Sequence, residues 1–306
     1  MVGTNVEQMS REQWLEQRRL GIGGSDVAAI LGLSKWKTPL DVYLDKTGQS
    51  PAQPDSEPML WGRLLEPLIL NEFERRHGIV VERVEGIIKQ HPQYPWMLAS
   101  LDGWAPDVPA VVECKTARSS DGWGDAGTDE IPAYYQTQVA HYLAVTGAEI
   151  AFIPVLIGAS DFRVYQVERD EQFVEDLIEA EASFWNEHVV AGVPPEPVNA
   201  ADAARLWARD TGETIEVAPE VSDDVEELQA LKAQSKDLEE RIGSIEDRLK
   251  IAFRDASTIA CGGRKLATFK AQTRRSVDTK ALTAAHPEVA EKFITESTFR
   301  VLRLTK

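Results

Sequence analysis

Apolar positions recur along this chain at helical spacing in some stretches, and they alternate or run continuously in others. The helical spacing predicts helices over residues 10–20, 25–31, 38–46, 59–77, 131–146 and 171–190. The shorter patterns predict strands over 79–89, 97–101, 110–116, 149–157 and 162–167. This order predicts an α/β protein with a central mixed β-sheet flanked by helices.

The C-terminal third has a different pattern. The segment "GVPPEP" at 192–197 is typical of a linker, and residues 223–254 predict one long amphipathic helix. Its apolar residues keep the 3–4 spacing of a coiled-coil seam: Leu228, Leu231, Leu238, Ile242, Ile245 and Leu249. Packing on its own domain, a helical hairpin and an intermolecular coil all fit this pattern. A hairpin with a basic strand, a short helix over 279–293 and a strand over 299–304 complete a small α/β appendage.

These patterns divide the chain into three parts. Residues 1–192 are expected to form one α/β domain, and 193–222 a linker region. Residues 223–306 are expected to form the long helix and the basic hairpin module. Within the first part, helix 59–77 carries the apolar stripe Leu60, Leu64, Leu68 and Phe73, and Gly78 ends it.

Composition narrows the class of protein. The chain has 306 residues with 43% hydrophobic residues, which is enough for a substantial core. It has no apolar run of membrane-spanning length, and its start lacks the pattern of a secretory signal. Two cysteines cannot build a disulfide framework or a four-thiolate metal site. We therefore expect a cytoplasmic protein with no membrane partner.

The distribution of charge is more informative than the net charge of −17. Residues 160–260 hold 25 acidic and 10 basic side chains, whereas residues 261–306 hold 4 acidic and 10 basic. The basic tail could contact a nucleic-acid backbone or recruit a protein partner, or it could form a hairpin packed on the acidic helix. Its central residues are Arg264, Lys265, Lys270, Arg274 and Arg275.

The most informative stretch is "SLDGWAPDVPAVVECKTA" at 100–117. Side chains alternate along a strand, so Glu113 and Lys115 share one face and Cys114 points to the other. Asp102 approaches Glu113 if the two strands are neighbours. Two carboxylates, with the Cys114 carbonyl as a third oxygen, suit Mg²⁺, while Lys115 can orient water or neutralise charge. On spacing alone, a Glu–Lys pair two positions apart on a strand is more often a solvated sheet edge. The position of this pair, directly after an apolar strand core, is what favours the metal site.

Three further segments carry candidate polar residues. Glu66, in the apolar segment "WGRLLEPLI", should face a charge, a metal or water, although pairing with Arg63 is an alternative. "GIGGSD", which follows Arg18 and Arg19, can bind an anion through converging backbone amides at a helix N-terminus, or it can be an ordinary loop and helix cap. In "YYQTQVAHYL", Gln138 can hold water or a phosphate oxygen, whereas His141 is expected to be structural.

Taken in order, these segments resemble a known family. "RRLGIGGSDVAAILG", "WGRLLEPLI", "SLDG", "VVECKTA" and "YYQTQVAHYLAVTG" are similar to the YqaJ-like viral recombinases, which are related to bacteriophage lambda exonuclease within the PD-(D/E)xK nucleases. The resemblance covers residues 11–167. It implies a restriction-endonuclease-like core and Mg²⁺-dependent hydrolysis of DNA, with Mn²⁺ as a substitute.

The resemblance also implies roles for individual residues. Asp102 and Glu113 would be metal ligands, and Lys115 would be the catalytic lysine. Gln138 would support the nucleophile side, and Glu66 would position a water or a second metal. Ser25, with Arg18 or Arg19, would bind the phosphate. The implied activity is a 5′→3′ exonuclease on linear duplex DNA that leaves 3′ tails for a phage single-strand annealing protein, acting in a bacterial host, with homo-oligomers known among related enzymes. An endonuclease and a non-catalytic DNA-binding protein are the alternatives.

Overall fold

The computed structural model describes residues 11–50, 56–84 and 86–305. They divide into two units, the first ending at Asp202 and the second beginning at Ala203. The boundary lies inside the segment 193–222 that the sequence marks as a linker region, and this segment contains a short helix.

Seven helices lie in or at the edge of the first unit within the described ranges. They are α1 (Arg11–Arg19), α2 (Gly24–Ile30), α3 (Pro39–Lys46), α4 (Glu57–His77), α5 (Ala133–Thr146), α6 (Glu171–Phe184) and α7 (Ala200–Leu206). A π-helical segment, Trp185–Val190, continues α6. Thr38 caps α3 by accepting from the Asp41 amide, and left-handed Gly78 ends α4, as the sequence predicts. No helix in the described ranges is long and apolar enough to cross a membrane.

Nine strands of this unit form two sheets. They are β1 (Ile22–Gly23), β2 (Glu82–Arg83), β3 (Ile88–Gln90), β4 (Met97–Ser100), β5 (Gly103–Ala105), β6 (Ala110–Val112), β7 (Lys115–Ala117), β8 (Ile150–Ile157) and β9 (Asp161–Glu168). The smaller sheet has the order β1-β4-β3. In the larger sheet β8 pairs in parallel with β6 and then β7, and antiparallel with β9. The predicted mixed sheet flanked by helices is confirmed.

The larger sheet is covered on both faces because its central strands are apolar on both sides. Val111 belongs to a core that includes Val139 and Leu143 of α5. Its neighbour Val112 belongs to a second core that includes Leu70 and Phe73 of α4. Successive side chains of β6 therefore point to opposite helices, which is the pattern of a strand buried between two layers.

Two predicted strands are interrupted in the structure. The stretch 79–89 contains two strands separated by a turn at Gly86, where φ is 76°, because β2 pairs with β5 and β3 with β4 in different sheets. The stretch 110–116 is divided into β6 and β7 at residues 113–114. This second interruption lies within the segment 102–115 that the sequence pattern predicts to carry the site.

The predicted apolar stripe of α4 is only partly correct. Leu60, Leu64 and Leu68 are exposed, whereas Phe73 is fully buried. The buried residues of this helix are Ile69, Leu70 and Phe73. Only the C-terminal turns of α4 therefore pack on the sheet. The helical spacing of apolar residues extends into the N-terminal turns, although no core covers them there.

The second unit consists of a long helix and short elements. These are α8 (Pro219–Phe253), β10 (Thr258–Cys261), β11 (Arg264–Thr268), α9 (Thr279–Ala285), α10 (Pro287–Ala290) and a 3-10 turn, Glu291–Phe293. The hairpin is confirmed, with Gly262 and Gly263 both at positive φ in its turn. The single helix predicted over 279–293 is interrupted before Pro287. The strand predicted over 299–304 is wrong, since these residues pair with no strand.

Candidate active site

The interruption between β6 and β7 brings Asp102 and Glu113 to the same end of the sheet. β5 and β6 are antiparallel, with Gly103 opposite Val112, so the residues just outside this pair approach each other. The Asp102 carboxylate accepts a hydrogen bond from the Cys114 amide at 2.8 Å. Because that amide bonds a side chain instead of a neighbouring strand, the sheet ladder is broken where the carboxylates meet.

Glu113, Lys115 and Gln138 form a closed triangle of hydrogen bonds. Lys115 Nζ donates to Glu113 Oε1 at 2.7 Å and to Gln138 Oε1 at 3.0 Å. Gln138 Nε2 donates to the same Glu113 oxygen at 2.7 Å. The amide of Gln138 thus fixes the acid and the lysine at once, and the expected common face of Glu113 and Lys115 is observed.

The second oxygen of Glu113 is the least satisfied atom of the site. Glu113 is 4% exposed, and its Oε2 is buried with no hydrogen-bond partner among the residues that the structure describes. Burial raises the pKa of Asp102 well above its usual range, and the charges of Glu113 and Glu66 raise it further. Burial alone would lower the pKa of Lys115, but the negative charges of Glu113 and Asp102 raise this pKa above its ordinary value. The site therefore concentrates negative charge that a cation would relieve.

A cleft of about 220 Å³ opens beside these carboxylates. Asp102, Glu113 and Gln138 line one side of it, and Arg18 and Ser25 line the other. The Arg18 guanidinium donates to the Ser25 hydroxyl. The structure thus brings the predicted residues Arg18 and Ser25 to the same cavity as Asp102, Glu113 and Gln138, whereas Glu66 and Lys115 are not among the residues that line it.

Arg19 does not take part in this cleft. Its side chain is 43% exposed and lies 3.8 Å from Asp45. The sequence left open which of the two adjacent arginines faces the phosphate position, since nothing in "RRLG" fixes the rotation of α1. In the structure, Arg18 faces the cleft and Arg19 does not.

Asp26 organises a cluster of cations that the sequence did not indicate. Its carboxylate is 1% exposed and lies 2.7 Å from the Lys46 ammonium, 3.5 Å from Lys37 and 3.6 Å from Arg18. Burial opposes ionisation of Asp26, but the three cations hold its pKa well below the usual range. The Asp26 carboxylate also accepts a hydrogen bond from the amide of Gly23, which is the N-cap residue of α2. Asp26 is therefore the third residue of the helix and not the capping residue. Lys46 gave no local signal, because its partner is 20 positions away.

Tyr142 and Tyr135 complete the walls around the triangle. Gln138 donates to the Tyr142 hydroxyl at 3.1 Å, and the Lys115 ammonium lies 4.6 Å from the centre of the Tyr135 ring. A Cβ atom at Gly24 would lie 2.5 Å from the Tyr142 ring, so this glycine allows α2 to approach α5. The segment "YYQTQVAHYL" therefore supplies both core and site residues.

His141 is buried away from the cleft, in agreement with its expected structural role. Its Nδ1 lies 2.9 Å from a Glu181 carboxylate oxygen, and its Nε2 lies 2.9 Å from the Leu98 carbonyl. The histidine links α5 to α6 and to β4. It belongs to the packing of the unit and not to its chemistry.

The residues present fit a divalent ion held by two carboxylates. Within the described part of the chain, no three His, Cys, Asp or Glu side chains form a ready group of ligands. Mg²⁺ needs only one or two carboxylates and keeps several waters. Glu66 is near enough to raise the pKa of Asp102 but does not join such a group. The Cys114 side chain packs in the core on the α4 side, so only its backbone carbonyl remains as the predicted ligand.

Comparison with solved structures gives low similarity. The alkaline exonuclease LHK-Exo of Laribacter hongkongensis is 19% identical, covers 60% of this chain and 94% of its own, and superposes with a TM-score of 0.49. A phage-related exonuclease from Haemophilus somnus 129PT is 12% identical, covers 56% and 96%, and gives 0.39. At these scores the likeness does not establish a shared activity.

Comparison with known sequences is decisive for the family. The model of the YqaJ-like viral recombinase domain matches residues 13–149, the segment that contains every residue of the cleft described above. The protein YqaJ of Bacillus subtilis (strain 168), whose own function is uncharacterised, is 37% identical over 303 residues, which cover 96% of this chain and 93% of that protein. The chain therefore belongs to the YqaJ-like viral recombinase family.

Proposed function

We propose that this protein is a Mg²⁺-dependent deoxyribonuclease whose active site is the cleft between Glu113 and Arg18. The observation that carries the proposal is the unpaired, buried oxygen of Glu113, which shares the cleft with Asp102. A buried carboxylate oxygen without a partner is costly unless a ligand occupies the site. The membership in a viral recombinase family supports DNA as the substrate.

Asp102 and Glu113 would hold the ion, with the Cys114 carbonyl as a third oxygen. Glu66 would position a water or a second ion, and Mn²⁺ would substitute for Mg²⁺. When bound, the ion supplies a water of lowered pKa and stabilises charge on a phosphate oxygen. Its positive charge would also offset the repulsion that raises the pKa of Asp102.

The protein's own cations act on the phosphate and on the attacking water. Arg18 and Ser25, which line the same cleft, would bind a phosphate of the DNA, and Ser25 belongs to the first turn of α2. Lys115 would orient the water or neutralise the developing charge on the phosphate oxygens. Gln138 would keep the lysine aimed at the cleft, since it bonds both Lys115 and Glu113.

The finer form of the proposal is a 5′→3′ exonuclease. It would degrade the 5′-terminated strand of linear duplex DNA and leave a 3′ tail for a phage single-strand annealing protein. A linear duplex labelled at each terminus in turn tests this polarity, because loss of the 5′ label first is expected. Closed circular DNA of the same sequence should resist digestion, and cleavage of the circle would instead indicate an endonuclease.

The site assignment is tested by replacing Lys115 with alanine. We expect Lys115→Ala to lower the rate of cleavage by about 10²–10³-fold, because a preorganised charge at the phosphate is lost, while DNA binding survives. Lys236→Ala, in an exposed position of α8, is the matched control and should cut at the normal rate. Normal cleavage by Lys115→Ala would overturn the assignment, and no cleavage by the wild type with Mg²⁺ would favour a non-catalytic DNA-binding protein.

A further inference from the structure

The long helix α8 presents an apolar seam that the other described residues of its unit leave uncovered. Leu231, Leu238, Ile242, Ile245 and Leu249 are between 43% and 55% exposed. A solvated row of five large aliphatic side chains is unfavourable, since each would gain on leaving water. The apolar seam of α8 spans residues 228–252.

The second unit has little else to stabilise it. Among its described residues, 203–305, only one apolar side chain is buried, that of Phe253. A unit of this length ordinarily buries many more, because a small core cannot offset the entropy of the ordered chain. The other helices of the unit, α9 and α10, have 7 and 4 residues and are too short to cover four heptads. Within the described residues of the unit, no other helix is long enough to cover the seam.

The seam follows an uninterrupted heptad repeat. Written with a and d as the core positions, the a residues are Leu228, Ser235, Ile242 and Leu249, and the d residues are Leu231, Leu238, Ile245 and Ala252. Spacings of three and four alternate without a break over this stretch. Such a repeat directs the same face of the helix toward one neighbouring helix along its full length.

The flanking charges match a second copy of the same helix in parallel. In that arrangement, each g residue faces the e residue of the next heptad on the other strand. Glu227 would then meet Lys232 of the second copy, and Arg241 would meet Glu246 of the second copy. Both contacts are attractive, and each occurs twice in a symmetric pair. The remaining g residues, Gln234 and Arg248, face Glu239 and Phe253, so no like-charge contact arises.

An antiparallel pair is disfavoured by the same residues. Alignment of Leu238 with Ile242 of the other strand would place Arg241 against Arg241 and Glu239 against Glu239. These like-charge contacts at the centre of the coil are destabilising, and the alignment keeps only one kind of attractive contact, Lys232 with Glu246, where the parallel pair has two. From the seam, the missing core and the charges together, we propose that α8 dimerises the protein as a parallel two-stranded coiled coil. This inference does not depend on the nuclease activity.

Sedimentation of the full chain tests the proposal. The expected mass is twice the 34.0 kDa of the chain. Leu238→Lys with Ile245→Lys, which places two charges in the seam, should raise the dissociation constant by more than about 100-fold. Ala233→Lys with Ser244→Lys adds the same charge on the outer face of α8 and should leave the dimer intact. A monomeric wild type, or a dimer that survives the seam variant, would overturn the proposal.

A charge exchange tests the partner and its direction without disturbing the core. Arg241→Glu should weaken the dimer by roughly 10-fold, because two attractive contacts become repulsive. The double variant Arg241→Glu with Glu246→Arg should restore the affinity of the dimer. Residues five apart do not face each other on one helix, so this recovery can only come from contacts between the two strands. An antiparallel pair would keep a like-charge contact at position 241 in the single variant, so a dimer that Arg241→Glu leaves unchanged, or that the double variant fails to restore, would contradict the proposal.

Discussion

At the scale of single residues, Asp26 is a buried carboxylate that holds the wall of the cleft through cations. The Lys46 ammonium is fully buried, and its shortest ion pair is to Asp26. We expect Asp26→Asn to lower the free energy of unfolding by about 3 kcal/mol, because it leaves a buried charge without its main partner. Urea denaturation measures this change.

Asp45→Asn is the matched control for that variant. Asp45 lies 3.7 Å from the same ammonium, but it is about one-third exposed. Its loss should cost less than about 1 kcal/mol, since solvent screens the pair. An equal loss of stability in the two variants would show that burial of Asp26 is not what makes it important.

Gly24 and Gly23 are neighbours with different surroundings. A Cβ atom at Gly24 would lie 2.5 Å from the buried Tyr142 ring, whereas at Gly23 the nearest atom is 3.6 Å away. Gly24→Ala should therefore cost about 1–3 kcal/mol of stability through overpacking. Gly23→Ala should change it by no more than about 0.5 kcal/mol. Thermal unfolding of both variants compares them, and an equal shift in Tm would contradict the close approach of α2 to α5.

At the scale of elements, the buried pair His141–Glu181 connects α5 to α6. Burial alone would lower the pKa of His141, but the Glu181 carboxylate and the Leu98 carbonyl raise it above the ordinary value. Protonated His141 therefore contributes its full stabilisation below about pH 6.5, its pKa in the unfolded chain. This stabilisation is lost as pH rises through the higher pKa that His141 has in the folded protein. In His141→Gln this loss should disappear. Denaturation curves across that window measure it, and an unchanged pH profile in the variant would contradict the role of the pair.

The elements also show how far sequence patterns reach. The bounds of α3, the end of α4 and the hairpin of β10 and β11 follow from Thr38, Gly78 and the pair Gly262–Gly263, because caps and turns depend on neighbouring residues. The interruption between β6 and β7 could not be predicted in this way. It depends on Asp102, twelve positions from the amide that it binds, and only the paired strands bring the two together.

The same distinction applies to the site. Asp102, Glu113, Lys115 and Gln138 carried local signals, since each polar side chain interrupts an apolar stretch. Lys46, Lys37 and Tyr135 did not, because their roles come from contacts between helices and loops that are distant in sequence. The exposure of Leu60, Leu64 and Leu68 was missed for a related reason: periodicity identifies an apolar face but not whether another element covers it.

At the scale of the whole molecule, the basic tail, residues 261–306, carries a net positive charge, whereas the rest of the chain is net negative. Its five central cations are exposed, and within the described residues none of them forms an ion pair with α8. They are Arg264, Lys265, Lys270, Arg274 and Arg275. We therefore expect the tail to contact the DNA backbone, and replacement of all five by alanine should reduce the slope of log affinity against log salt by up to about 4.5.

The matched control exchanges arginine and lysine at the same five positions, which keeps the charge and should keep the slope. DNA binding by the full chain is measured across a series of salt concentrations for both variants. If the alanine variant retains the slope of the wild type, the tail does not bind the backbone and serves another purpose.

The proposed nuclease site depends on a divalent ion held by Asp102 and Glu113. Anomalous X-ray scattering from a crystal soaked in Mn²⁺ locates such an ion directly, without reference to activity. We expect one strong peak between the two carboxylates, and we expect this peak to be lost in Glu113→Gln. A wild-type crystal with no peak there, or with the two carboxylates turned apart, would rule out the metal site.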